Sequence, residues 1–364
     1  MTETARHGYL VLADISGYTS FLAKVELEHA HEILTDLLEV IVDNFKSLLM
    51  ISKLEGDAVF AYVDETSVPR GETLLELIES TYVAFRQRRD TSRRATTCTC
   101  KACQSMPSLE LKFFVHHGNF IVQHVAGIQE LVGSDVNLAH RLMKNHIFEH
   151  TGWKAYAMLT KVAMDCMMLN LEDVHNQIET YEHLGDIQTI TINLASRYDT
   201  IIASQSFYIS EKDADASVKH EFNISQSELW QMVTSPESLN ALARYTVTWS
   251  AAKRPNGRTG VGAVNHCAHG KGVSQSTIID WHPFDYYAAQ GVNGNLRWYE
   301  MTEIKPTPDK NKVVYIGRWK ADMGLPRWIN KLIGKFMVRK ILNGFTSQIE
   351  NHLAEMNLGK ETAI

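Results

Sequence analysis

The first 64 residues contain, in this order, one short apolar run, one long amphipathic stretch and two further apolar runs. GYLVLAD, at residues 8–14, predicts a buried strand because it is apolar, partly β-branched and ends at an acidic residue. Residues 24–50 carry an apolar stripe at helical spacing, which predicts an amphipathic helix. MISKLEGDAVFAYVD predicts two strands that pair across a turn at Glu55-Gly56. This order of strand, helix, strand and strand predicts an α+β sandwich of ferredoxin-like type.

The same alternation continues to about residue 195. Residues 72–89 predict another helix, and RRDTSRRATTCTCKACQSMP breaks the pattern as a surface insertion. LELKFFVHHGNFIVQHVAG predicts a second strand pair that turns near Gly118-Asn119. A helix from Asp135 to His150 and a closing strand, IQTITINL, complete the predicted first domain.

The length of 364 residues predicts two domains. Residues 196–215 are polar and predict a linker, so we expect domains over residues 1–195 and 216–358. The second begins with an alternating strand and an amphipathic helix, for which Ser225 and Glu228 predict a capping box. Several short strands and a long helix at about 326–356 follow, which also predicts an α+β domain.

Composition excludes several classes of protein. The 36 Lys and Arg against 42 Asp and Glu give a net charge of −6, which argues against a nucleic-acid partner held by bulk positive charge. No run of apolar residues is long enough to predict a transmembrane segment. The first residues lack the pattern of a secretory signal, and the five cysteines do not form a disulfide framework. We therefore expect a cytoplasmic protein.

Acidic, amide and cationic side chains recur where elements begin or end. Asp14 ends a predicted strand and Asp57 follows a predicted turn, so two carboxylates could hold a pair of divalent cations. Asn137 and Arg141 are four residues apart and share one helix face, where Arg141 could neutralise charge on a phosphoryl group. These side chains together predict phosphoryl chemistry. Backbone N–H groups that suit a triphosphate follow Asp14, at Gly17, Tyr18 and Thr19.

Four motifs occur in one order: DISGYT (14–19), KLEGDAVFA (53–61), VHHG (115–118) and VNLAHR (136–141). In this order the sequence resembles the class III adenylyl and guanylyl cyclases over about residues 8–192. The resemblance implies formation of a 3′,5′-cyclic nucleotide and pyrophosphate from a nucleoside triphosphate. It also implies two Mg²⁺ or Mn²⁺ per site and a head-to-tail homodimer with two composite sites.

The resemblance also assigns roles to residues. Asp14 and Asp57 correspond to the metal-binding aspartates, with the carbonyl of Ile15 as an additional ligand. Asn137 and Arg141 correspond to the pair that supports the transition state. The two base-reading positions of the family are occupied by Lys53 and Glu130.

A carboxylate can accept from the amino group of adenine while a lysine donates to a ring nitrogen, so this pair favours ATP as substrate. A pyrimidine triphosphate is the alternative substrate. One departure concerns the phosphate-gripping lysine that the family often places near its last strands. LGDIQTITINL contains no lysine, so Arg6 or an arginine of residues 86–94 would have to serve, or triphosphate binding is weakened.

Three thiols lie within six residues, at Cys98, Cys100 and Cys103. Nearby arginines lower the pKa of a thiol and so favour the reactive thiolate form. Two interpretations stay open: a flexible loop with reduced cysteines, or a metal or redox site. Because tetrahedral Zn²⁺ takes four ligands, a zinc site would also need His116, His117 or a cysteine of the dimer partner.

The second region resembles the START/polyketide-cyclase-like (SRPBCC, helix-grip) superfamily in FNISQSELWQMVTSPESL, DWHPFDYYA and the long final helix. The resemblance implies a hydrophobic small molecule or lipid as ligand, which could regulate the cyclase. The final helix is basic and amphipathic, so it could grip the sheet, which we favour, or lie on an anionic membrane. The alternative function is a catalytically degenerate cyclase fold that binds or senses a nucleotide and a hydrophobic ligand.

Overall fold

Two β-sheets organise the chain in the computed structural model, one in each of two units, Met1–Thr200 and Ile201–Ile364. The structure describes residues 4–23, 25–95, 100–204, 207–243, 247–269, 272–294, 296–309, 311–322, 324 and 326–361. Both units combine helices with a sheet, which confirms the predicted α+β class. No helix among the described residues is long and apolar enough to cross a bilayer.

The first sheet is built from eight strands of the first unit. They are β1 (Arg6–Ser16), β2 (Met50–Glu55), β3 (Ala58–Asp64), β4 (Glu110–Val125), β5 (Ile128–Val132), β6 (Tyr156–Thr160), β7 (Val174–Tyr181) and β8 (Gly185–Asn193). The helices up to residue 204 are α1 (Tyr18–Leu22), α2 (Leu27–Phe45), α3 (Gly71–Ala95), α4 (Lys101–Ser105), α5 (Ser134–Arg141), α6 (Ile147–Thr151), α7 (Lys161–Cys166) and α8 (Leu194–Ser204).

Strand β1 lies inside the sheet, whose order is β2-β3-β1-β4-β6-β8-β7, with β5 paired to β4. All neighbours are antiparallel except β4 and β6, which run parallel. Residues 9–13 are buried without interruption, because side chains of β1 are covered on both faces. This explains the continuous apolar run in the sequence and fixes the position of Asp14 at the end of the strand.

The predicted hairpin at Gly118-Asn119 is wrong. Strand β4 runs straight through these residues, and the chain turns instead at Ala126-Gly127, where both residues have positive φ. Gly118 has a different reason to be glycine: a Cβ at this position would lie 2.4 Å from Cγ of Asp135. Glycine therefore lets the start of α5 approach β4 closely.

Three further predicted segments differ from the structure. The helix predicted over 24–50 is shorter, since α2 covers Leu27–Phe45, and the one predicted from Asp135 to His150 divides into α5 and α6. The predicted insertion begins too early, because α3 extends to Ala95. Arg89 in this extension is buried, and its Nη1 donates to the carbonyl of Leu109 at 2.7 Å. The charged residues of this segment led to the prediction of a surface stretch, although Arg89 is buried and hydrogen-bonded in the last turns of the helix.

The second sheet is a seven-stranded antiparallel sheet of order β10-β11-β12-β13-β14-β15-β9. Its strands are β9 (Ala216–Phe222), β10 (Thr248–Lys253), β11 (Val264–His269), β12 (Gly272–His282), β13 (Tyr286–Asn293), β14 (Leu296–Pro306) and β15 (Val313–Ala321). The helices are α9 (Gln226–Thr234), α10 (Pro236–Ala243), α11 (Arg327–Ile333) and α12 (Arg339–Glu361), with a π-helical turn at Gly334–Val338. The predicted long final helix is thus interrupted.

Residues 196–215 do not form the predicted linker. Helix α8 occupies the first part, and the second part packs in the second unit, where Ile209 is buried against Ala288 and Met301. The backbone N–H of Phe207 donates to Asp280 at 2.8 Å. Two apolar anchors within a polar stretch were enough to order it. The predicted capping box of Ser225 and Glu228 at α9 is confirmed.

Candidate active site

Asp14 and Asp57 lie side by side at one end of β1. The backbone N–H of Ile15 donates to the carbonyl of Asp57 at 3.3 Å, which holds the β2–β3 turn against the end of β1. The two carboxyl groups lie close enough for each to influence the pKa of the other. Burial raises the pKa of both groups, and the neighbouring charge of Asp14 adds to burial in raising the pKa of Asp57 to about 6.

Lys112 is paired with Asp14 across strands β1 and β4, and the sequence analysis did not identify it as a site residue. It lies on β4 directly opposite Asp14, and its charge lowers the pKa of both aspartates against the larger effect of burial. Its Nζ is 5.6 Å from the centroid of the Tyr156 ring. The only signal was a single lysine inside the otherwise apolar run LKFFV.

The chemistry of the acid pair fits divalent cations. Two partly buried carboxylates that repel each other are stabilised by positive charge between them, and carboxylate oxygens are the ligands that Mg²⁺ prefers. Asp14 and Asp57 are therefore the residues that would hold Mg²⁺ or Mn²⁺ here. The role of the Ile15 carbonyl stays a prediction.

A separate open cleft of about 500 Å³ contains three of the other predicted residues, Lys53, Asn137 and Arg141. It is lined by Lys53 and Glu55 of β2, by Asn137, His140 and Arg141 of α5, and by residues 182–184 of the β7–β8 turn. Neither Asp14 nor Asp57 lines this cleft. One subunit therefore presents the acid pair and the cleft as two distinct parts.

Lys53 and Glu130 are brought together, although they are 77 residues apart in sequence. Nζ of Lys53 lies 2.9 Å from Oε1 of Glu130 and also 2.9 Å from Oε1 of Glu55. These hydrogen bonds, that of Glu55 first, raise the pKa of Lys53. Sequence reasoning did not single out Glu55, nor His140, whose Nδ1 lies 3.3 Å from Oε2 of Glu55. Burial lowers the pKa of His140, which favours a neutral ring.

Helix α5 presents Asn137 and Arg141 to the cleft from successive turns. Both side chains are exposed, and neither makes a hydrogen bond or ion pair with another residue in the described parts of the chain. A guanidinium that is not engaged within its own subunit can contact a phosphate without first breaking an internal ion pair.

Four of the arginines predicted to replace the phosphate-gripping lysine are engaged elsewhere. Arg6 forms an ion pair with Asp64 and lies over the Tyr62 ring, 5.5 Å from its centroid. Arg88 pairs with Asp36, and the ion pairs of Arg86 and Arg89 both involve Glu110.

The turn at Gly17, Tyr18 and Thr19 leads into α1, a helix of only five residues. Gly17 adopts φ +90°, a backbone conformation that favours glycine. So short a helix adds little dipole to an anion site, and triphosphate binding at this turn stays a prediction.

Comparison with known proteins identifies relatives of this region. Residues 34–151 match the family model described as "Protein of unknown function (DUF2652)". The chain is 30% identical over 167 residues to "Uncharacterized protein Rv2561/Rv2562" of Mycobacterium tuberculosis (strain ATCC 25618 / H37Rv), covering 45% of this chain and 74% of that protein. The chain belongs to the same family as this mycobacterial protein. Within the range matched by the family model lie Lys53, Asp57, Glu130, Asn137 and Arg141.

Solved structures with a similar chain path are cyclase domains. A bacterial light-regulated adenylyl cyclase aligns with 14% identity and a TM-score of 0.42, covering 54% of each chain, so this chain spans about half of its length. The guanylyl cyclase Cya2 aligns with 14% identity and a TM-score of 0.43, covering 52% of this chain and 93% of Cya2. The adenylyl cyclase CyaB from P. aeruginosa aligns with 17% identity and a TM-score of 0.40, covering 52% of this chain and 95% of CyaB. These identities and TM-scores are low and concern only about half of the chain.

The cysteine cluster is partly described. Cys98 lies outside the described residues, whereas Cys100 precedes α4 and its Sγ accepts the N–H of Cys103. The histidine beside these thiols is His29 of α2, with Nδ1 3.2 Å from Sγ of Cys100. His116 and His117, the residues predicted to complete a zinc site, contact Thr160 and Cys166 instead. Zinc at Cys100 and Cys103 stays a prediction.

Proposed function

We propose that the first unit is a nucleotidyl cyclase of class III type, which forms a 3′,5′-cyclic nucleotide and pyrophosphate from a nucleoside triphosphate. The observation that carries the proposal is the pairing of Asp14 and Asp57 at the end of β1. The second support is the separate cleft that contains Lys53, Asn137 and Arg141. One chain therefore contains both the acids that two-metal phosphoryl transfer requires and the amide and guanidinium groups that would support its transition state.

Asp14 and Asp57 would hold two Mg²⁺ or Mn²⁺, which stabilise charge on the attacking and leaving oxygens when bound. Arg141 would contact the oxygens of the α-phosphate, where negative charge builds up as the ribose 3′-oxygen attacks. Asn137, one helical turn away, would orient the ribose. Lys112 lies opposite Asp14, where it can attract the anionic substrate toward the acid pair.

We propose a homodimer with composite sites, since the acid pair and the cleft are distinct parts of one subunit. In such a dimer the aspartates of one subunit meet Asn137 and Arg141 of the other. A symmetric head-to-tail arrangement would build two such sites.

ATP is the proposed substrate because Lys53 and Glu130 form a donor–acceptor pair at the cleft. The ammonium can donate to a ring nitrogen, while the carboxylate accepts from the exocyclic amino group of adenine. Cytosine also offers an amino group next to a ring acceptor, so CTP is the second nucleotide that this pair can recognise.

The deciding experiment incubates the full chain with ATP, GTP, CTP and UTP in separate reactions with Mn²⁺. Cyclic product and pyrophosphate are measured together, and Asp57→Ala is compared with Asp43→Ala, a change at an exposed helical carboxylate far along α2. Cyclic product in the wild type and the Asp43 variant, but not in the Asp57 variant, is the expected result. No cyclic product from any nucleotide would overturn the proposed activity.

The alternative, a degenerate cyclase fold that only binds nucleotide, has one observation in its favour. Arg6, Arg86, Arg88 and Arg89, four of the arginines expected to grip the triphosphate, are held in ion pairs within the first unit. Nucleotide binding measured by calorimetry in the same samples, without turnover, would support this second function.

For the second unit we propose a helix-grip fold that binds a hydrophobic small molecule or lipid. Its antiparallel sheet borders a mainly apolar cavity of about 180 Å³, which Leu342 and Phe345 of α12 line on one side. Glu300 and Asn265 are polar groups in its lining. Displacement of a fluorescent apolar dye from the full chain, lost when Ala289→Trp fills the cavity, tests this proposal. Unchanged dye binding in that variant would count against it.

A further inference from the structure

Away from the acid pair and the cleft, three side chains converge from three elements of the first unit. They are His7 of β1, Glu65 in the turn after β3, and His117 of β4. Nδ1 of His7 lies 2.9 Å from Oε2 of Glu65, and Nε2 of His117 lies 3.6 Å from the same oxygen. One potential ligand atom from each residue lies within 4.8 Å of the others.

His117 carries the decisive feature. Its side chain is only 1% exposed, yet its Nε2 has no hydrogen-bond partner, and the 3.6 Å to Glu65 is too long for one. A buried polar nitrogen without a partner destabilises the folded protein, because it has lost its hydrogen bond to water. The nitrogen faces His7 and Glu65, so an occupant between the three residues would satisfy it.

The other ring nitrogen of His117 is already oriented. Nδ1 lies 3.2 Å from Sγ of Cys166, at the end of α7. When Nδ1–H donates to the sulfur, the lone pair of Nε2 points toward Glu65 and His7. Metal-bound histidines are commonly held in this way, with the second nitrogen donating to a neighbouring acceptor.

We propose that His7, Glu65 and His117 bind a divalent transition-metal ion, with Zn²⁺ as the best match. Two imidazoles and one carboxylate are a ligand set that zinc uses with a fourth position open to solvent. Ligand atoms around tetrahedral zinc lie about 3.3 Å apart, so small rotations of the exposed His7 and Glu65 side chains would complete the site. The proposal does not depend on the proposed cyclase activity.

The test titrates the metal-free full chain with Zn²⁺ against a coloured chelator, in excess Mg²⁺ so that the acid pair is filled. His7→Ala and Glu65→Gln are the informative variants, because both side chains are exposed and their loss should leave the fold intact. His31→Ala and Glu26→Gln are the matched controls, at exposed positions in and beside α2. Cys166→Ala tests the outer contact to His117.

The expected result is loss of one zinc equivalent, or at least tenfold weaker binding, in the His7 and Glu65 variants and unchanged binding in the two control variants. Cys166→Ala should weaken binding about tenfold, the usual effect of losing an outer partner. Co²⁺ separates this site from the Cys100 cluster, since a site without a sulfur ligand gives no thiolate charge-transfer band. Equal zinc binding in both informative variants and both controls, or loss of that zinc in His29→Ala instead, would overturn the proposal.

A second inference concerns the surface of α11, the π-helical turn and the start of α12. Five large apolar side chains are exposed there: Trp328, Leu332, Phe336, Met337 and Ile341. Exposure reaches 65% for Trp328 and 68% for Phe336 and Ile341. The buried side of the same segment is formed by Asn330 and Val338. These five apolar side chains therefore face outward, whereas Leu342 and Phe345 of α12 line the cavity of the second unit.

Cations are interleaved with this stripe. Lys331, Lys335, Arg339 and Lys340 lie within it, and the sequence contains no acidic residue between Asp322 and Glu350. Lys335 lies over the ring of Phe336, with Nζ 5.8 Å from the centroid. Apolar side chains flanked by lysine and arginine are complementary to an interface that is apolar inside and negative at its surface.

We infer that residues 328–341 bind the surface of an anionic lipid bilayer. Aromatic and aliphatic side chains would enter the headgroup boundary while the cations contact lipid phosphates. A second copy of this chain is the other possible occupant, but two such faces would bring like charges together.

Flotation of the full chain with vesicles tests this inference. Vesicles of phosphatidylcholine alone are compared with vesicles that also contain phosphatidylserine, at low and high salt. We expect binding only to the anionic vesicles, weakened at high salt and at least tenfold weaker in Trp328→Ser/Phe336→Ser and in Lys331→Glu/Lys335→Glu. Leu296→Ser, at another exposed apolar residue, is the control. Equal binding in all variants, or a dimer abolished by the same substitutions without vesicle binding, would overturn it.

Discussion

The carbonyl of Asp57 accepts the N–H of Ile15, and this contact holds the carboxyl group of Asp57 beside that of Asp14. Two carboxylates in such contact repel each other once both are ionised. We therefore expect Asp14→Asn to raise the free energy of unfolding of the metal-free protein at pH 8 by about 1 kcal/mol. Urea denaturation in a chelator measures this, with exposed Asp43→Asn as control. Added Mg²⁺ should stabilise the wild type and not the variant; destabilisation of the metal-free variant would contradict the prediction.

Subunit complementation tests the composite site. Asp57→Ala and Arg141→Ala should each lower kcat at least about 10²–10³-fold, as expected for loss of transition-state stabilisation. When the two inactive proteins are mixed and exchange subunits, half of the dimers should contain one intact site, giving about a quarter of wild-type activity. Cyclic nucleotide formation before and after mixing measures recovery. Continued inactivity, with exchange shown by labelled subunits, would count against the two-subunit site.

Selection of the base is expected to depend on Glu130. Because its carboxylate lies 2.9 Å from Lys53 at the cleft, Glu130→Ala should reduce the preference for ATP over GTP about tenfold. The ratio of kcat/KM values for the two nucleotides measures this preference. Glu149→Ala, at another exposed glutamate of the first unit, should leave the ratio unchanged. A fall in kcat alone, with the ratio preserved, would show that Glu130 does not read the base.

Gly118 should be required for close packing of α5 on β4. A methyl group there would lie 2.4 Å from Cγ of Asp135, so Gly118→Ala should lower the free energy of unfolding by about 1–3 kcal/mol. Gly344→Ala is the control, because a methyl group added at that position would meet no other atom within 4 Å. Thermal and urea denaturation measure both variants. Equal stability of the Gly118 variant and wild type would show that Asp135 moves aside without cost.

Glu300 predicts a pH dependence of stability in the second unit. Burial raises the pKa of Glu300 above its ordinary value of 4.5. An acid with a raised pKa in the folded state costs stability as it ionises, so the free energy of unfolding should fall as pH rises above about 4.5. Glu300→Gln should reduce this fall, because glutamine does not ionise. Urea denaturation between pH 4 and pH 8 compares the slopes; parallel slopes would contradict the prediction.

The sequence predicted elements whose spacing is local. The strand over residues 8–14 and the turn before Asp57 could be predicted because a buried apolar run and a Glu-Gly turn are both short-range signals. The observed strand β1 continues two residues past Asp14, to Ser16. The pairing of Lys53 with Glu130 followed from the family resemblance, and the two side chains do lie 2.9 Å apart.

Other features depend on contacts that the sequence does not display. Lys112 looks like an isolated lysine until strand pairing places it opposite Asp14. The predicted turn at Gly118 was wrong because glycine at this position makes room for helix α5, which packs against the strand, and does not mark a turn. The partner of Cys100 is His29, 71 residues away, on a helix whose orientation local pattern does not specify.

Strand β4 pairs with β1 through eleven consecutive residue pairs, from Arg6 opposite Phe120 to Ser16 opposite Glu110. Lys112 and His117 are five positions apart on it, so they point to opposite faces and lie about 17 Å apart along the strand. Mutation could therefore erase the chemistry at one face and leave the other intact. A descendant that had lost the proposed cyclase site could keep the proposed metal site, and one that had lost the metal site could keep the cyclase site.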